Sequence, residues 1–245
     1  MYKKQDMEIP TKEEKTMRYR ILLFDADNTI LDFDANEKAS FFAMMQEMGE
    51  TCTEEIYQTY AAMNRRLWQA IERGEITVKE GINTRFARLM AGYGREVDGP
   101  LYESVYRSYL NQGSQVIPEA EEALTDLQAA GYELYLITNG MEETQNFRMK
   151  ASGMDRFFRD RFISSRIGAN KPSAEFFAYV KEHIPDFDGR KTLIIGDSLT
   201  SDIQGGLNAG LDTCWYNREG KTPDPCIPAT YEIRDLRELK SITEG

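Results

Sequence analysis

The chain has 245 residues, enough for one large domain or two smaller ones, and 41% of them are apolar, as in an ordinary globular protein. Its formal net charge of −11 argues against a nucleic acid polymer as a partner, because such partners require a basic surface. No apolar run reaches the roughly 18 residues of a membrane span, and the cysteines lack metal-binding spacing. We therefore predict a cytoplasmic protein with reduced thiols and no membrane partner, and we make no prediction of its oligomeric state.

The first strand follows a predicted N-terminal extension, residues 1–19, which has mixed charge and lacks the apolar core of a signal peptide. Residues 21–24 are all apolar, which is typical of a strand in the buried centre of a parallel sheet. Asp25 and Asp27 come directly after this strand. Because ligands bind at the carboxyl ends of the strands in open α/β sheets, we expect both carboxylates in a functional site.

Residues 35–113 show helical periodicity with no strand pattern between the helices. The spacing of apolar residues by three and four is clearest at Ile56, Tyr60, Met63, Leu67 and Ile71. We predict a helical cap domain inserted after the first strand, with methionines and aromatic residues filling its core. We expect four of its arginines to form a solvated surface: Arg65, Arg66, Arg85 and Arg88.

Strands alternate with helices after the predicted cap. The predicted strands cover residues 133–137, 162–164, 192–195 and 212–216. This alternation is typical of a doubly wound parallel sheet with helices on both faces. Residues 20–34 and 114–245 are therefore predicted to form one Rossmann-like α/β core domain.

Polar side chains follow several of these strands. Thr138 ends the second strand, Lys171 lies in the loop after the third, and Asp197 follows the fourth, with Asp202 one helical turn further on. Carboxylate oxygens are ligands of hard cations, so these acids and the two after the first strand predict a Mg²⁺ site. The one histidine, His183, lies on a predicted surface helix, so neither a Ser-His-Asp triad nor a histidine-rich zinc site can form.

Four segments resemble, in chain order, the motifs of the haloacid dehalogenase (HAD) superfamily: Asp25-Ala26-Asp27-Asn28-Thr29, Thr138-Asn139-Gly140, Lys171-Pro172 and Gly196 to Asp202. The resemblance covers roughly residues 20–217, and the predicted helical insertion resembles the C1 cap of that superfamily. The segment from Gly196 to Tyr216 is most similar to the branch that contains pyrimidine 5′-nucleotidases.

The resemblance implies a Mg²⁺-dependent phosphatase acting on a small-molecule phosphate ester, with a nucleoside 5′-monophosphate as the first expectation. Asp25 is implied as the nucleophile that forms an aspartyl-phosphate. Asp27 is implied to protonate the leaving alkoxide and then to activate water. The metal would be held by Asp25, Asp197 and the backbone carbonyl of Asp27.

The resemblance also implies supporting roles for other polar residues. Thr138, Asn139 and Lys171 would bind the phosphoryl oxygens, with the lysine also holding the nucleophile. Asp202 would support the water shell of the metal or orient Lys171, and Ser198 would make supporting contacts. Purely structural alternatives are a helix N-cap for Thr138, a solvated loop position for Lys171, and an N-cap or surface charge for Asp202.

Other functions stay open on the sequence alone. They are a phosphatase or mutase acting on phosphoglycolate or sugar phosphates, a metal-free 2-haloacid dehalogenase, and a non-catalytic protein that binds a phospho-ligand. Asp27 argues against the dehalogenase, since dehalogenases lack an acid two residues after the nucleophile. We expect the cap to close over the site about hinges near Leu31–Ala35 and Gly113–Ile117.

Overall fold

A computed structural model describes residues 17–244 of the chain. Its centre is a six-stranded sheet in which every neighbouring pair of strands is parallel, in the order β3-β2-β1-β4-β5-β6. The strands are β1 (Ile21–Phe24), β2 (Glu133–Thr138), β3 (Asp160–Ile163), β4 (Thr192–Gly196), β5 (Asp212–Tyr216) and β6 (Tyr231–Ile233). The predicted parallel sheet is therefore confirmed, with β1 between β2 and β4.

Helices cover both faces of the sheet and bury β1 completely. They are α5 (Ala120–Ala129), α6 (Glu142–Ser152), α7 (Ser164–Ile167), α8 (Ala174–His183), α9 (Gln204–Ala209) and α10 (Leu239–Thr243). Leu22 and Phe24 belong to the apolar cluster that includes α5, whereas Ile21 and Leu23 belong to the cluster that includes α8. Successive side chains of a strand point to opposite faces, which explains why an unbroken apolar run was needed at this position.

Four helices between β1 and α5 form the cap: α1 (Phe33–Glu47), α2 (Glu54–Glu72), α3 (Val78–Ala91) and α4 (Gly99–Leu110). Each begins after a side chain that accepts a hydrogen bond from the first turn, namely Asp32, Thr53, Thr77 and Asp98. The cap has its own apolar cluster, in which the rings of Tyr60 and Phe86 stack with their centroids 5.3 Å apart. The methionines and aromatic residues of this segment thus fill a core, as predicted.

The two segments that connect cap and core lie side by side. Leu31 forms an antiparallel bridge with Val116, and the amide of Asp32 donates to the carbonyl of Gln115 at 3.0 Å. This ribbon coincides with the two predicted hinge segments. α1 begins at Phe33, slightly before the predicted cap boundary at residue 35.

The core begins earlier than residue 20. Residues 1–16 of the predicted extension lie outside the described residues, but Met17 bridges to Glu244 and Tyr19 is buried. The Tyr19 hydroxyl donates to Oδ2 of Asp212 at 2.5 Å. All three cysteines are free thiols, and no helix within residues 17–244 combines the length and apolar character that crossing a membrane requires.

Candidate active site

All eight predicted site residues line a single cavity of about 200 Å³ at the carboxyl edge of the sheet. They are Asp25, Asp27, Thr138, Asn139, Lys171, Asp197, Ser198 and Asp202. The strands place them there because Asp25 follows β1, Thr138 ends β2 and Asp197 follows β4. The amide of Asp25 donates to the carbonyl of Ile195 at 2.9 Å, which extends the β1–β4 pairing to Asp25.

Lys171 lies between two carboxylates and is almost completely buried. Its Nζ is 2.5 Å from Oδ1 of Asp25 and 2.6 Å from Oδ1 of Asp202, and it also donates to the carbonyl of Ile137 at 3.1 Å. Burial alone would lower the pKa of Lys171, but Asp202 and Asp25 outweigh burial and raise it. The lysine is therefore a permanent positive charge inside the site, and the solvated-loop alternative is wrong.

Asp202 positions Lys171 and is not a surface charge. Its Oδ1 accepts from Lys171, and its Oδ2 accepts from the amide of Ser198 at 3.1 Å. A Cβ at Gly196 would lie 2.2 Å from Oδ2, so only glycine allows this carboxylate to pack against the end of β4. The N-cap of the following helical turn, Leu199–Ile203, is Ser198, whose hydroxyl accepts from the amide of Ser201. The N-cap alternative for Asp202 is therefore wrong.

Three carboxylates lie close enough to hold a metal ion. Asp25, Asp197 and Asp202 each offer an oxygen within 4.8 Å of the other two. Burial raises the pKa of Asp25, with Lys171 opposing the rise, while burial and Asp202 raise the pKa of Asp197 to about 8. Three carboxylates lie here beside one lysine, and a divalent cation with oxygen ligands fits such a site.

The hydrogen bonds separate the ligand candidates. Both oxygens of Asp202 accept protein hydrogen bonds, whereas within residues 17–244 Asp25 accepts one from Lys171 on Oδ1 alone, which favours Asp25 and Asp197 over Asp202 for direct coordination. The carboxylate of Asp27 instead accepts hydrogen bonds from Gln145 and Arg148. Coordination by its backbone carbonyl stays a prediction.

Thr138 has its hydroxyl oxygen engaged and its hydroxyl proton available. Oγ1 accepts from the amide of Gly140 at 3.0 Å and from Nε2 of Gln145 at 2.9 Å. A hydroxyl has two acceptor positions and one proton, so the remaining capacity is to donate, as a phosphoryl oxygen would require. α6 begins after Met141, so Thr138 is not its N-cap.

Asn139 holds the loop that contains Lys171. Its Nδ2 donates to the carbonyl of Lys171 at 2.9 Å, and its Oδ1 accepts from the amide of the same residue at 2.8 Å. Both polar atoms of this side-chain amide therefore already have hydrogen-bond partners in the backbone of Lys171. A phosphate contact by Asn139, which stays a prediction, would have to come from its backbone.

Sequence reasoning missed two residues of α6 that contact Asp27. Gln145 Nε2 donates to Oδ2 of Asp27 at 2.6 Å, and Nη1 of Arg148 donates to Oδ1. Both side chains belong to the buried face of α6, together with Thr144 and Met149. Polar residues on a buried helix face require partners, and that pattern could have identified them.

The cap forms the opposite wall of the cavity with Phe33, Trp68, Glu72, Arg85, Arg107 and Leu110. Two hydrogen bonds connect cap and core at this wall. Arg107 Nη1 donates to Oγ1 of Thr144 at 3.1 Å, and Oγ1 of Thr200 donates to Oε2 of Glu72 at 2.9 Å. Burial raises the pKa of Glu72, and the bond from Thr200 opposes the rise. The cap therefore contacts the core next to the segment after β2 and next to the segment after β4.

The prediction of a solvated arginine surface on the cap is wrong for one of its four members. Arg65, Arg66 and Arg88 are exposed, but Arg85 is buried. Its Nη2 is 2.7 Å from Oε2 of Glu103, and its Nη1 donates to Oδ1 of Asn64 at 3.0 Å. An arginine can be buried when its charge is paired in this way, and these partners come from other cap helices.

Comparison with known proteins decides the family. Residues 19–210 match the family model described as haloacid dehalogenase-like hydrolase. The chain belongs to this family. A Bacillus subtilis protein, YfnB, named as a HAD-hydrolase, is 47% identical over 225 residues, covering 92% of this chain and 95% of its own. The pyrimidine 5′-nucleotidase PynA of Streptococcus pneumoniae is 40% identical over 223 residues, covering 91% of this chain and 94% of its own.

Solved structures agree with this assignment. The crystal structure of YfnB bound to magnesium has a TM-score of 0.89 and 46% identity, covering 93% of this chain and 100% of that chain. A dehalogenase with 18% identity has a TM-score of 0.75 over 94% of this chain and 99% of its own, which shows the shared fold. The chain is a hydrolase of the HAD family, and its site is consistent with the hydrolysis of phosphoric monoesters.

Proposed function

We propose that this HAD hydrolase is a Mg²⁺-dependent phosphatase that hydrolyses nucleoside 5′-monophosphates, pyrimidine nucleotides first, through an aspartyl-phosphate on Asp25. The observation that supports the chemistry most directly is the contact of Lys171 with Asp25 at 2.5 Å in a buried site. A carboxylate held at a strand end beside a fixed positive charge is suited to attack an anionic phosphate ester.

The first step transfers the phosphoryl group. An oxygen of Asp25 forms a bond to phosphorus while the ester P–O bond breaks and its electron pair goes to the leaving oxygen. Lys171 and the Thr138 hydroxyl would neutralise and bind the phosphoryl oxygens. Asp27 would give its proton to the leaving oxygen, so that an alcohol and not an alkoxide departs.

The second step releases phosphate and restores the enzyme. Water gives a proton to the ionised Asp27 and attacks phosphorus, the bond from phosphorus to Asp25 breaks, and inorganic phosphate leaves. Mg²⁺, held by Asp25 and Asp197, would offset the repulsion between the carboxylate and the phosphate dianion. Asp202 would act only through Lys171, which it holds in place.

The proposed substrate class rests on relatives and on the cap wall. PynA and the Escherichia coli protein YjjG, which is 30% identical over 228 residues, are both named pyrimidine 5′-nucleotidases. Trp68 and Arg107 line the cap side of the cavity, opposite the phosphate-binding residues. The flat ring of Trp68 suits stacking on an aromatic base, which phosphoglycolate and sugar phosphates lack.

A panel of phosphate esters tests the proposal. We would measure kcat/KM with Mg²⁺ for dUMP, dTMP and UMP beside phosphoglycolate and sugar phosphates, with Asp25→Asn as the inactive reference. We expect the pyrimidine nucleotides to exceed the other esters by about tenfold or more. Equal and feeble rates on all esters would refute the nucleotidase assignment, and activity unchanged in Asp25→Asn would refute the mechanism.

A further inference from the structure

We propose that Gln145 and Arg148 are positioning residues that fix the carboxylate of Asp27 for proton transfer. The inference rests on the proposed function, because it concerns the residue that would protonate the leaving group. The two α6 residues each contact a different oxygen of this one carboxylate. They come from a part of the chain more than a hundred positions away, at separations of 118 and 121 residues.

Two separate donors restrict both the position and the plane of the carboxylate. Gln145 Nε2 lies 2.6 Å from Oδ2 of Asp27, and Arg148 pairs with Oδ1. A single donor would leave the carboxylate free to rotate about the Cβ–Cγ bond of Asp27. Donors on both oxygens prevent this rotation. Proton transfer depends on the distance and direction of the transferring oxygen, so this restriction acts on the chemical step.

Gln145 also connects the carboxylate to the phosphate-binding segment. The same Nε2 donates to Oγ1 of Thr138 at 2.9 Å, so one amide group contacts the proton donor and the hydroxyl expected to bind phosphate. This double contact sets the distance between the two groups. The leaving oxygen and the phosphoryl oxygens belong to the same phosphorus atom, so their binding groups must be held at a fixed separation.

The residues packed around Arg148 and Gln145 hold both side chains in position beside Asp27. Arg148 is 1% exposed, and its guanidinium lies 5.4 Å from the ring centroid of Phe33. A buried arginine is unfavourable without a partner, and Asp27 is the ion-pair partner that it has within residues 17–244. A Cβ at Gly140 would lie 2.3 Å from Nε2 of Gln145, so glycine at 140 is what allows the amide into this position.

The dependence of the rate on the leaving group distinguishes positioning from general structural support. A nucleotide must expel a ribose alkoxide, which requires a proton from Asp27, whereas p-nitrophenyl phosphate expels a stable phenolate that does not. The ratio kcat/KM includes steps only up to P–O cleavage when that step is irreversible, so later hydrolysis of the phosphoenzyme does not enter. A variant that misplaces Asp27 should therefore lose activity on the nucleotide selectively.

We would measure kcat/KM for UMP and for p-nitrophenyl phosphate with Mg²⁺ in Gln145→Leu, Arg148→Met, Arg148→Lys and Gly140→Ala. For Gln145→Leu and Arg148→Met we expect losses of about 10²-fold on UMP and less than about fivefold on p-nitrophenyl phosphate. Asp27→Asn should show the same selective loss, and Arg148→Lys should recover part of it. Arg156→Met serves as the matched control, because Arg156 is an exposed arginine paired with Glu121 on the surface.

Each outcome decides a separate claim. Activity on p-nitrophenyl phosphate reports how much folded enzyme is present. Gly140→Ala displaces Gln145 while keeping every polar side chain. The test can therefore be completed even if Arg148→Met fails to fold. Equal losses on both substrates in Gln145→Leu and Gly140→Ala would overturn the positioning role while leaving the proposed function in place. A wild-type protein inactive on both substrates would overturn the proposed function, and this inference with it.

Discussion

Nζ of Lys171 lies 2.6 Å from Oδ1 of Asp202, a carboxylate with no exposed surface. The second oxygen of Asp202 accepts from the backbone of Ser198, so the carboxylate is itself fixed. Lys171 contacts Asp25 on its other side, and its backbone is held by Asn139. Asp25, the proposed nucleophile, therefore faces a lysine whose backbone and ammonium group are both fixed by neighbouring residues.

Replacing Lys171 should affect stability and catalysis together. Lys171→Met removes the cation between two buried carboxylates, and we expect a loss of roughly 3–5 kcal/mol in the free energy of unfolding. Because the phosphoryl charge would also lack its fixed partner, kcat should fall by about 10²-fold or more. Urea unfolding and steady-state kinetics measure the two effects.

Lys181 provides the control for that substitution. It is a half-buried lysine of α8 whose Nζ donates to the carbonyl of Ala209 at 2.7 Å, away from the cavity. Lys181→Met should keep full activity and lose about 1 kcal/mol of stability. If Lys171→Met kept activity within tenfold of the unmutated enzyme, the role of the lysine in catalysis would be wrong.

Mg²⁺ binding should distinguish the side chain of Asp197 from that of Asp27. Chelation should abolish phosphatase activity, and added Mg²⁺ should restore it. Asp197→Asn should weaken Mg²⁺ binding because it removes a carboxylate that we propose as a direct ligand. Asp27→Asn should bind Mg²⁺ about as well as the unmutated protein, because its side chain contacts Gln145 and Arg148. Titration calorimetry of Mg²⁺ binding measures both variants.

The exposed Asp126 of α5 supplies the reference for these titrations. Asp126→Asn changes the net charge in the same way without touching the cavity, so its Mg²⁺ affinity should stay unchanged. An Asp27→Asn variant that lost Mg²⁺ binding as completely as Asp197→Asn would contradict the division of roles between the two aspartates.

Glu37 should make the folded protein less stable as the pH rises from about 4.5 through about 7. Burial raises the pKa of this carboxyl from 4.5 to about 7, although Arg85 and a 2.7 Å hydrogen bond from Asn64 oppose the rise. The folded state therefore binds a proton more tightly than the unfolded chain does. This contribution to stability is complete below pH 4.5 and is lost as the pH rises through about 7.

Glu37→Gln removes the ionisation while keeping an acceptor for Asn64. From the size of the pKa shift we expect the variant to gain up to about 3 kcal/mol relative to the unmutated protein between pH 5 and pH 8. Chemical unfolding across this range measures the difference. Glu55→Gln, on an exposed site of α2, should show no such gain with pH. A pH-independent effect of Glu37→Gln would show that Glu37 does not titrate in this window.

The contact between Thr200 and Glu72 should favour the closed arrangement of cap and core. Thr200→Val removes a hydrogen bond of 2.9 Å to a carboxylate at the edge of the site. Such a bond contributes about 1 kcal/mol, so we expect KM to rise by up to about fivefold, with a smaller change in kcat. Thr125→Val, which removes a hydroxyl contact within α5, is the control and should leave KM unchanged. A fall in kcat without any change in KM would contradict this role of the contact.

Much of the fold follows from patterns that act locally along the chain. An unbroken apolar run identified β1, and alternating strand and helix patterns identified the parallel sheet. The site could be predicted because strands of a parallel sheet end at one edge, so Asp25, Thr138 and Asp197 must meet there. These inferences require only the order of elements, which the sequence contains.

The missed features depend on pairs that are distant in sequence. Arg85 was expected on a solvated surface with three other cap arginines, because arginine is usually exposed. Its burial depends on Glu103 and Asn64 from two other helices. The contacts of Gln145 and Arg148 could be identified only after the structure placed α6 beside Asp27. Periodicity reports which face of a helix is buried but not which charge lies opposite it.

Formation of a covalent phosphoenzyme on Asp25 can be detected by rapid acid quenching during turnover. Enzyme mixed with Mg²⁺ and UMP would be quenched, digested and analysed by mass spectrometry for a phosphoryl group on the peptide that contains Asp25. We expect that modification at Asp25 in the unmutated enzyme and its complete absence, together with loss of turnover, in Asp25→Asn. Turnover without a phosphoenzyme at any quench time, or a phosphoryl group on another residue, would contradict the mechanism.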